Sequence, residues 1–464
     1  MFVVNESNLS DRCIPSILQL RSGQALLRTG QREYRPRNPV STPLYKIVED
    51  YWEMFINTYD DKFQENYGFF RPVVKSEMEK YLNCGILRNG FIRIRCPECK
   101  EEYLLPFSCK DRCLCPSCTA KRSVLFADFI ANEVIEPVPH RHLVFSLPKI
   151  IRPYFKFDRK LITLLSRCAY ESVKEICQSL FEKSVMPGMI IAVQTFSDNL
   201  GWHPHLHALI TDGVFDEDGV FHPLEHLSLS YIKDIFEQKV LIGLRMKELI
   251  SEETIKLIKS WQHTGFHVHH ETRISAGDTN RIEKVASYLI RSPISLERLS
   301  YNDQNANITY RGKRDIYNFH PLTFLAQLSL HIANHGEQMV RYYGWYSNKK
   351  RGMRRKHGIL NKPIILSEDL TDYQKSCRKR WAALIRKIYE VDPLICPKCG
   401  AMMKIVSAIE DDIAIQKILS HLGLLHSPSR SPPPVVTTPW EKESTCSSYT
   451  SDYIPDIEVY CRDI

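Results

Sequence analysis

The sequence predicts an α+β protein, and three observations support this fold class. Segments 189–198 and 202–211 read as two strands around a turn at 199–201, the clearest hairpin in the chain. Helical periodicity occurs around this hairpin, over 156–184, 229–261 and 280–292. Cysteine pairs with the spacing C-x-x-C lie before and after these elements, which indicates small metal-stabilised units at both ends.

Composition and length exclude several other classes. A chain of 464 residues is too long for one compact core, and 43% hydrophobic with 25% charged residues is typical of globular proteins. No apolar run is long enough to span a bilayer, and the N-terminus does not resemble an export signal. We therefore expect a cytoplasmic protein without a membrane partner. The net charge of +8 permits a nucleic-acid partner.

The remaining elements complete the domain organisation. Residues 44–81 predict one or two amphipathic helices, 142–148 and 308–310 predict strands, and 321–340 and 370–390 predict helices. We accordingly divide the chain into a loosely ordered arm (1–40), a helical and zinc-binding domain (41–125), a catalytic domain (126–345), a basic helical region with a C-terminal knuckle (346–430) and a Pro/Ser-rich tail (431–464).

Two C-x-x-C pairs in the first part of the chain have the spacing of a zinc site. They are 15 residues apart, and four thiolates from two such turns complete a closed tetrahedral site of the structural kind. Cys109 and Cys113 lie between the pairs, and either could replace an assigned ligand. The predicted zinc ligands are Cys96, Cys99, Cys115 and Cys118.

A further knuckle lies near the C-terminus. Cys396 and Cys399 form it within CPKCG, which makes them candidate ligands of a second zinc ion. Their partner pair is not obvious from the sequence. His421 and His426 follow after a gap of 21 residues, which is longer than usual, and a core histidine is the alternative interpretation of His421.

Three His-x-His pairs could each present two imidazoles on one face of a strand. His140/His142 precedes the predicted strand, and His267/His269 lies in a His-rich edge. His205/His207 is best placed, because Leu206, Ala208 and Ile210 alternate with it and would face a core. Two imidazoles leave coordination positions open for a phosphate oxygen. The third ligand stays open among Gln194, Asp198 and His269.

The helix predicted at 280–292 carries a tyrosine on a basic face. Ile282, Val285, Ala286 and Leu289 form the buried stripe, whereas Tyr288 lies beside it with Arg281, Lys284 and Arg291. Neighbouring cations favour the phenolate and attract a phosphate backbone, which suits a nucleophile that attacks DNA. An exposed tyrosine on a solvated face is the alternative for this helix taken alone.

At this point the sequence resembles a known family. The run QTFSDNLGWHPHLHALITDG (194–213) is similar to the HUH segment of the rolling-circle transposases of bacterial insertion sequences, the insertion-sequence ninety-one type. The cysteine block from 96 to 122 is similar to the zinc-binding domain that precedes that segment in the family. VFSLPK (144–149), ASYLIRSPIS (286–295), RYYGWYSNKKR (341–351) and DPLICPKCG (392–400) follow in family order.

The resemblance implies an antiparallel, palm-like HUH sheet that bears His205 and His207, with Tyr288 delivered from a helix. It further implies Mg²⁺ or Mn²⁺ at the histidines and cleavage of one DNA strand, which leaves a 5′-phosphotyrosyl enzyme and a free 3′-OH. Family members often carry a second tyrosine four residues after the first. Here Ser292 occupies that position, so the chain resembles the single-tyrosine subset.

Residues 341–357 interleave aromatic and basic side chains. Aromatic faces stack on unpaired bases while cations follow phosphates, so we expect contacts to single-stranded or hairpin-tipped DNA and a nucleoid-associated protein. The predicted contacts here are Arg341, Tyr342, Tyr343, Trp345, Lys349, Lys350 and Arg351. Two rival functions remain: a catalytically silent DNA-binding protein, and a metal-dependent phosphoesterase that uses water in place of Tyr288. The sequence does not indicate the oligomeric state.

Overall fold

The computed structural model describes residues 38–110, 114–181, 183–224, 226–356 and 394–425. Its α-helices are α1 (Pro43–Lys62), α2 (Gln64–Tyr67), α3 (Pro72–Leu82), α4 (Pro116–Phe129), α5 (Arg152–Phe157), α6 (Leu161–Ser179), α7 (Leu229–Arg245), α8 (Glu252–Ser260), α9 (Thr279–Leu289), α10 (Pro321–Leu330), α11 (Asn348–Lys356) and α12 (Asp412–His421). Its strands are β1 (Phe91–Arg95), β2 (Glu102–Pro106), β3 (His140–Ser146), β4 (Gly188–Phe196), β5 (Trp202–Thr211), β6 (Gly213–Phe215), β7 (Phe221–Pro223), β8 (His267–Ile274), β9 (Leu299–Asn302), β10 (Asn307–Arg311), β11 (Ile316–Phe319), β12 (Val340–Gly344) and β13 (Lys404–Ile409).

A five-stranded antiparallel sheet forms the centre of the molecule. Its strand order is β12-β4-β5-β3-β8, so the predicted hairpin β4–β5 lies in the middle. Along β5, apolar residues alternate with histidines, and this period of two gives the sheet one apolar face and a second face that bears the histidines. The apolar face packs against α6 and α7 in the largest hydrophobic core. The α+β prediction is confirmed.

The opposite face of the sheet is only partly covered by helices. Apolar side chains of α4 and α9 pack there against Ile190, Ala192 and Leu209 of the two central strands. One π-helical turn, Ile130–Val134, continues α4 and leads towards β3. The same face carries the buried histidines described below.

The N-terminal helices pack on the catalytic domain. A second core joins α1 and α3 to α10 and to the small sheet β11-β10-β9. Arg71 strengthens this contact, because its guanidinium donates to the carbonyl oxygens of Ser329 (2.5 Å) and Ile332 (2.8 Å). The amphipathic helices predicted over 44–81 are thus α1 to α3, and the strand predicted at 308–310 lies within β10.

The third sheet joins two segments that the sequence analysis assigned to different regions. Its order is β13-β1-β2, so a strand that follows the C-terminal knuckle pairs with a strand that precedes the first cysteine pair. The knuckle therefore belongs structurally with the zinc-binding region. Pairing between distant segments of a chain leaves no signal in local periodicity, which is why the sequence did not indicate it.

Three further sequence predictions can be compared with the structure. The helix expected at 321–340 ends at Leu330, and a turn containing Gly336 in the left-handed conformation (φ 76°) leads to β12. Most of the predicted arm, the helix at 370–390, the site of His426 and the Pro/Ser-rich tail lie outside the described residues. Among the described residues, no helix combines the length and apolar character needed to cross a membrane.

Candidate active site

Strand β5 places the predicted histidine pair on the polar face of the sheet. The side chains of His205 and His207 are 7% and 2% exposed, and their ring centroids are 5.0 Å apart. Leu206, Ala208 and Ile210 point to the other face and are fully buried in the main core. This packing fixes the strand and hence the positions of both imidazoles.

Hydrogen bonds orient the two rings. Nδ1 of His205 donates to the carbonyl oxygen of His203 (2.7 Å), which makes Nε2 the nitrogen with the lone pair. Nδ1 of His207 lies 3.0 Å from Nε2 of His142, whereas Nε2 of His207 is buried without a hydrogen-bond partner. An orphaned buried nitrogen beside a second imidazole is a donor set that fits a divalent cation.

Burial and neighbouring positive charge keep His207 neutral. Burial is the largest cause that lowers its pKa well below 6.5, and His205, His142 and Arg291 lower the pKa further. The neutral imidazole is the form that ligates metal ions, so the site is preset for a cation at physiological pH.

Helix α9 brings Tyr288 to this histidine face. The helix begins at the N-cap Asp278, whose side chain accepts from the backbone N–H of Arg281 (3.0 Å), and it buries Ile282, Ala286 and Leu289 as predicted. Tyr288 lies off this stripe and is 36% exposed. Its ring centroid is 5.3 Å from that of His207 and 6.4 Å from that of His142.

Gln194 and Arg291 hold the end of α9 in place. Nε2 of Gln194 donates to the carbonyl oxygens of Tyr288 and Leu289, both at 3.2 Å, and its Oε1 accepts from Nε of Arg291 at 3.3 Å. The guanidinium of Arg291 lies 4.5 Å from the ring centroid of Tyr288 and 5.2 Å from that of Phe196. Of the three cations predicted beside the phenol, Arg291 makes this contact, whereas Arg281 and Lys284 lie exposed along α9.

The three alternatives for a third ligand occupy different positions. Gln194 faces the site, but its amide nitrogen bonds to the helix end. Asp198 binds Arg298 (3.1 Å) at the base of the β9–β11 sheet. His269 lies opposite Val144 on β8, so β3 separates it from His207.

His142 belongs to a pair that the sequence analysis considered and did not choose. The interpretation that His140/His142 precedes a strand was wrong, because β3 begins at His140 and both histidines are buried within the sheet. His142 contacts His207 in the site, whereas His140 is bonded to the hydroxyl of Tyr346 (2.7 Å). The sequence did contain a signal for this: H-R-H lies directly before LVF and continues the alternation of the strand, so both histidines could have been included in it.

Among the described residues, eight cysteines form two clusters, and neither cluster is the predicted set of Cys96, Cys99, Cys115 and Cys118. Cys115 and Cys118, at the start of α4, meet Cys84 and Cys109, and the metal-binding atoms of this group all lie within 4.8 Å of one another. Cys96 and Cys99 instead meet Cys396 and Cys399. The single site proposed from the C-x-x-C spacing was therefore wrong, because each pair turns towards a different partner. Cys109 was foreseen as a substitute ligand, Cys84 was missed, and Cys113 lies outside the described residues.

Comparison with known proteins finds two matching families. Residues 188–353, which include His205, His207 and Tyr288, match the family described as "Putative transposase". Residues 50–147 match the family described as "Transposase zinc-binding domain". The C-terminal knuckle lies outside both matched ranges.

Two relatives extend the comparison. The chain is 26% identical over 366 residues to the "Transposase for insertion sequence element IS801" of Pseudomonas savastanoi pv. phaseolicola, which covers 74% of this chain and 85% of the relative. It is 24% identical over 281 residues to "Putative transposase y4qJ" of Sinorhizobium fredii, which covers 55% of this chain and 70% of the relative. This chain belongs to the transposases of the insertion-sequence ninety-one type, with an N-terminal zinc-binding domain. No solved structure matches it.

Tyr288 is the tyrosine that the transposase presents on this face. Ser292 occupies the position expected for a second tyrosine, and its Oγ accepts from the backbone N–H of Ile294 (3.3 Å). Tyr310 is buried and accepts a hydrogen bond from the backbone N–H of Ser295, while Tyr301 donates to Asp50 (2.9 Å). Neither of these two tyrosines faces the histidines.

The aromatic and basic segment of the transposase is largely structural. Trp345 stacks on Phe215 with ring centroids 4.2 Å apart, and Tyr343 stacks on Tyr170 at 4.9 Å. In this structure both rings pack within the protein, on Phe215 and Tyr170, and their expected stacking on DNA bases stays a prediction. Lys349 and Lys350 are exposed on α11.

A cleft lies next to the active site, between β4, the end of α9 and β12. Its volume is about 430 Å³, and Gln194 and Arg291 separate it from Tyr288. Arg122, Arg341 and Tyr342 line its other walls, and Arg351 lies over the Tyr342 ring at 5.1 Å. The cleft combines cations with an aromatic face beside the candidate nucleophile.

Proposed function

We propose that this transposase nicks and rejoins one DNA strand through a covalent bond to Tyr288, in a rolling-circle-like reaction of the HUH type. One observation carries the proposal: the Tyr288 ring lies 5.3 Å from a buried, neutral histidine whose Nε2 has no hydrogen-bond partner. A phenol and a cation site that share one face of a sheet are what attack on a phosphodiester requires.

In the proposed step the phenolic oxygen of Tyr288 attacks phosphorus and loses its proton. The bond between phosphorus and the 3′ oxygen of the DNA breaks, and that oxygen takes up a proton as a free 3′-OH. The new bond joins Tyr288 to the 5′ phosphate. Because one ester replaces another, a 3′-OH can later reverse the reaction and rejoin the strand without ATP.

The residues of the site divide the work between them. His205 and His207 would hold Mg²⁺ or Mn²⁺, which would polarise the scissile phosphate and offset its developing charge. Arg291 attracts the phosphate to the Tyr288 ring, and Gln194 keeps the end of α9 at a fixed height above the sheet. His142 orients the ring of His207 through their hydrogen bond.

The DNA substrate is proposed to be single-stranded or hairpin-tipped at the cleavage point. A single strand that leaves the active site would enter the neighbouring cleft, where Arg122 and Arg341 can follow phosphates and Tyr342 offers a ring to a base. Exposed Lys349 and Lys350 extend the positive surface beyond β12. Binding by these cations should weaken steeply with added salt.

The test compares two tyrosine variants of the full chain. We expect Tyr288→Phe to bind single-stranded oligonucleotides from the element ends with unchanged affinity but to cleave at least about a hundredfold more slowly, since the nucleophile is gone. Tyr231→Phe is the matched control, because Tyr231 is 65% exposed on α7, on the other side of the sheet. Equal cleavage by both variants would assign the reaction to water and make the chain a metal-dependent phosphoesterase. Absence of cleavage by the parent chain at every divalent cation tried would support a silent DNA-binding protein.

A further inference from the structure

The C-terminal knuckle repeats the backbone of the first cysteine pair. In both, the N–H of the first cysteine donates to the carbonyl oxygen five residues later: Cys96 to Glu101 and Cys396 to Ala401, each at 2.8 Å. In both, the residue after the second cysteine is left-handed, with φ of 64° at Lys100 and 73° at Gly400. A lysine in that conformation costs about 1 kcal/mol, so an interaction of the knuckle must offset it.

The two knuckles face each other with the sulfur geometry of a metal site. Sγ of Cys96 lies 3.5 Å from Sγ of Cys399, and Sγ of Cys99 lies 3.5 Å from Sγ of Cys396. A zinc–sulfur bond of about 2.3 Å in a tetrahedron separates the sulfurs by about 3.8 Å, whereas a disulfide needs about 2.05 Å. The observed separations fit zinc and exclude disulfides in this structure.

Packing around the sulfurs is independent evidence that the two segments form one unit. β13 pairs with β1 along its whole length, from Phe91 opposite Ile409 to Arg95 opposite Lys404. Beneath the sulfurs, Ile94 and Met403 are buried in a small core that the two segments share. The four cysteines are thus held together by backbone pairing and by apolar burial.

We propose that Cys96, Cys99, Cys396 and Cys399 bind one structural zinc ion that joins the first cysteine pair of the transposase to its C-terminal knuckle. Cys96 and Cys399 are 303 positions apart in the sequence, so the ion closes a loop that contains the whole catalytic domain. Cross-links over long loops restrict the unfolded chain most. The zinc-binding family matches only residues 50–147, and half of this site lies beyond that range. The site is distinct from the cluster of Cys84, Cys109, Cys115 and Cys118, which would hold a second ion.

Zinc content tests the proposal directly. Elemental analysis of the full chain, purified under reducing conditions, should give about two zinc ions per chain. The double variant Cys396→Ser/Cys399→Ser should contain about one. Cys168→Ser/Cys177→Ser is the matched control and should keep about two, since both residues are buried in the main core away from either cluster. A C-terminal variant that keeps the parent's zinc content would overturn the proposal.

Alkylation of the unmodified chain provides a second test that does not depend on a variant that folds. Cys399 is exposed and would react at once with iodoacetamide as a free thiol, but slowly as a zinc ligand. We expect Cys399 and Cys99 to become alkylated together, and only after a chelator removes the ion. Immediate alkylation of Cys399 without chelator, or a disulfide at these cysteines in place of zinc, would refute the site.

Discussion

Gln194 offers the sharpest test of how the active site is organised. Its sequence position suggested a metal ligand, whereas its amide nitrogen donates to the carbonyl oxygens of Tyr288 and Leu289. Gln194→Ala removes both roles at once. Gln194→Glu separates them, because a carboxylate is a stronger ligand for Mg²⁺ but cannot donate to the two carbonyls.

The structure sets the size of the expected effect. Gln194 is 2% exposed, and its loss removes the side-chain donor from the carbonyl oxygen of Leu289, whereas that of Tyr288 still accepts from the backbone N–H of Arg291 (3.3 Å). Because one buried carbonyl oxygen loses this donor, either variant should lower the free energy of unfolding by about 1 to 3 kcal/mol. A shift of about 1 Å in Tyr288 costs about a hundredfold in rate. We therefore expect a large fall in the cleavage rate constant for both variants.

The assay measures the single-turnover cleavage rate on single-stranded DNA as a function of Mn²⁺ concentration. As a positioning residue, Gln194 should affect the rate at saturating Mn²⁺, and the concentration that gives half the maximal rate should stay nearly constant. If Gln194→Glu cleaves at the parent's rate with a lower Mn²⁺ requirement, Gln194 acts as a metal ligand, and its proposed role of holding the end of α9 in place is refuted.

Three further predictions follow from neighbouring contacts. His142→Ala should raise the Mn²⁺ requirement for cleavage roughly tenfold to a hundredfold, because the partner of His207 Nδ1 is lost; an unchanged requirement would remove His142 from the site. Burial lowers the pKa of His331 from 6.5 to about 4. As the pH drops below 6.5, this histidine therefore binds a proton in the unfolded chain before it does so in the folded chain, and the free energy of unfolding falls. In urea unfolding, protonation of His331 should lower the free energy of unfolding of the parent chain by about 2 kcal/mol between pH 8 and pH 5. The variant His331→Gln has no group to protonate at this position, so its free energy of unfolding should fall by about 2 kcal/mol less over the same range. Equal falls in the two chains would contradict burial of His331 as the cause. Arg341→Ala should weaken binding to single-stranded DNA severalfold and lower its salt dependence, and unaltered binding in a filter assay would place the strand outside the cleft.

Sequence patterns predicted the parts of the site that depend on local order. The period of two in β5 placed His205 and His207 opposite Leu206, and the helical period placed Tyr288 beside the buried stripe of α9. Both patterns lie within one element, and a single strand or helix determines which side chains share a face. For this reason the faces on which His205, His207 and Tyr288 lie could be predicted before any tertiary contact was known.

Contacts between distant segments could not be predicted in the same way. The C-x-x-C spacing identified metal-binding turns but not which turns meet, because β13 returns to β1 only in the folded chain. The aromatic residues of 341–346 are amphipathic, and their sequence does not distinguish a ring that stacks on DNA from one that packs, as Trp345 does, on Phe215. Burial of that kind depends on a contact between segments 130 residues apart in the sequence, which local order does not reveal.

The central claim is that Tyr288 becomes covalently joined to the 5′ side of the break. The chain is incubated with Mn²⁺ and single-stranded DNA from the element end, labelled 3′ of the nick, and then denatured and digested with protease. The account predicts that the label migrates with the protein, that mass spectrometry places the nucleotide on the peptide containing Tyr288, and that the other fragment ends in an unmodified 3′-OH. Free 5′-phosphate ends with no protein-linked label, or an adduct on another residue, would contradict it.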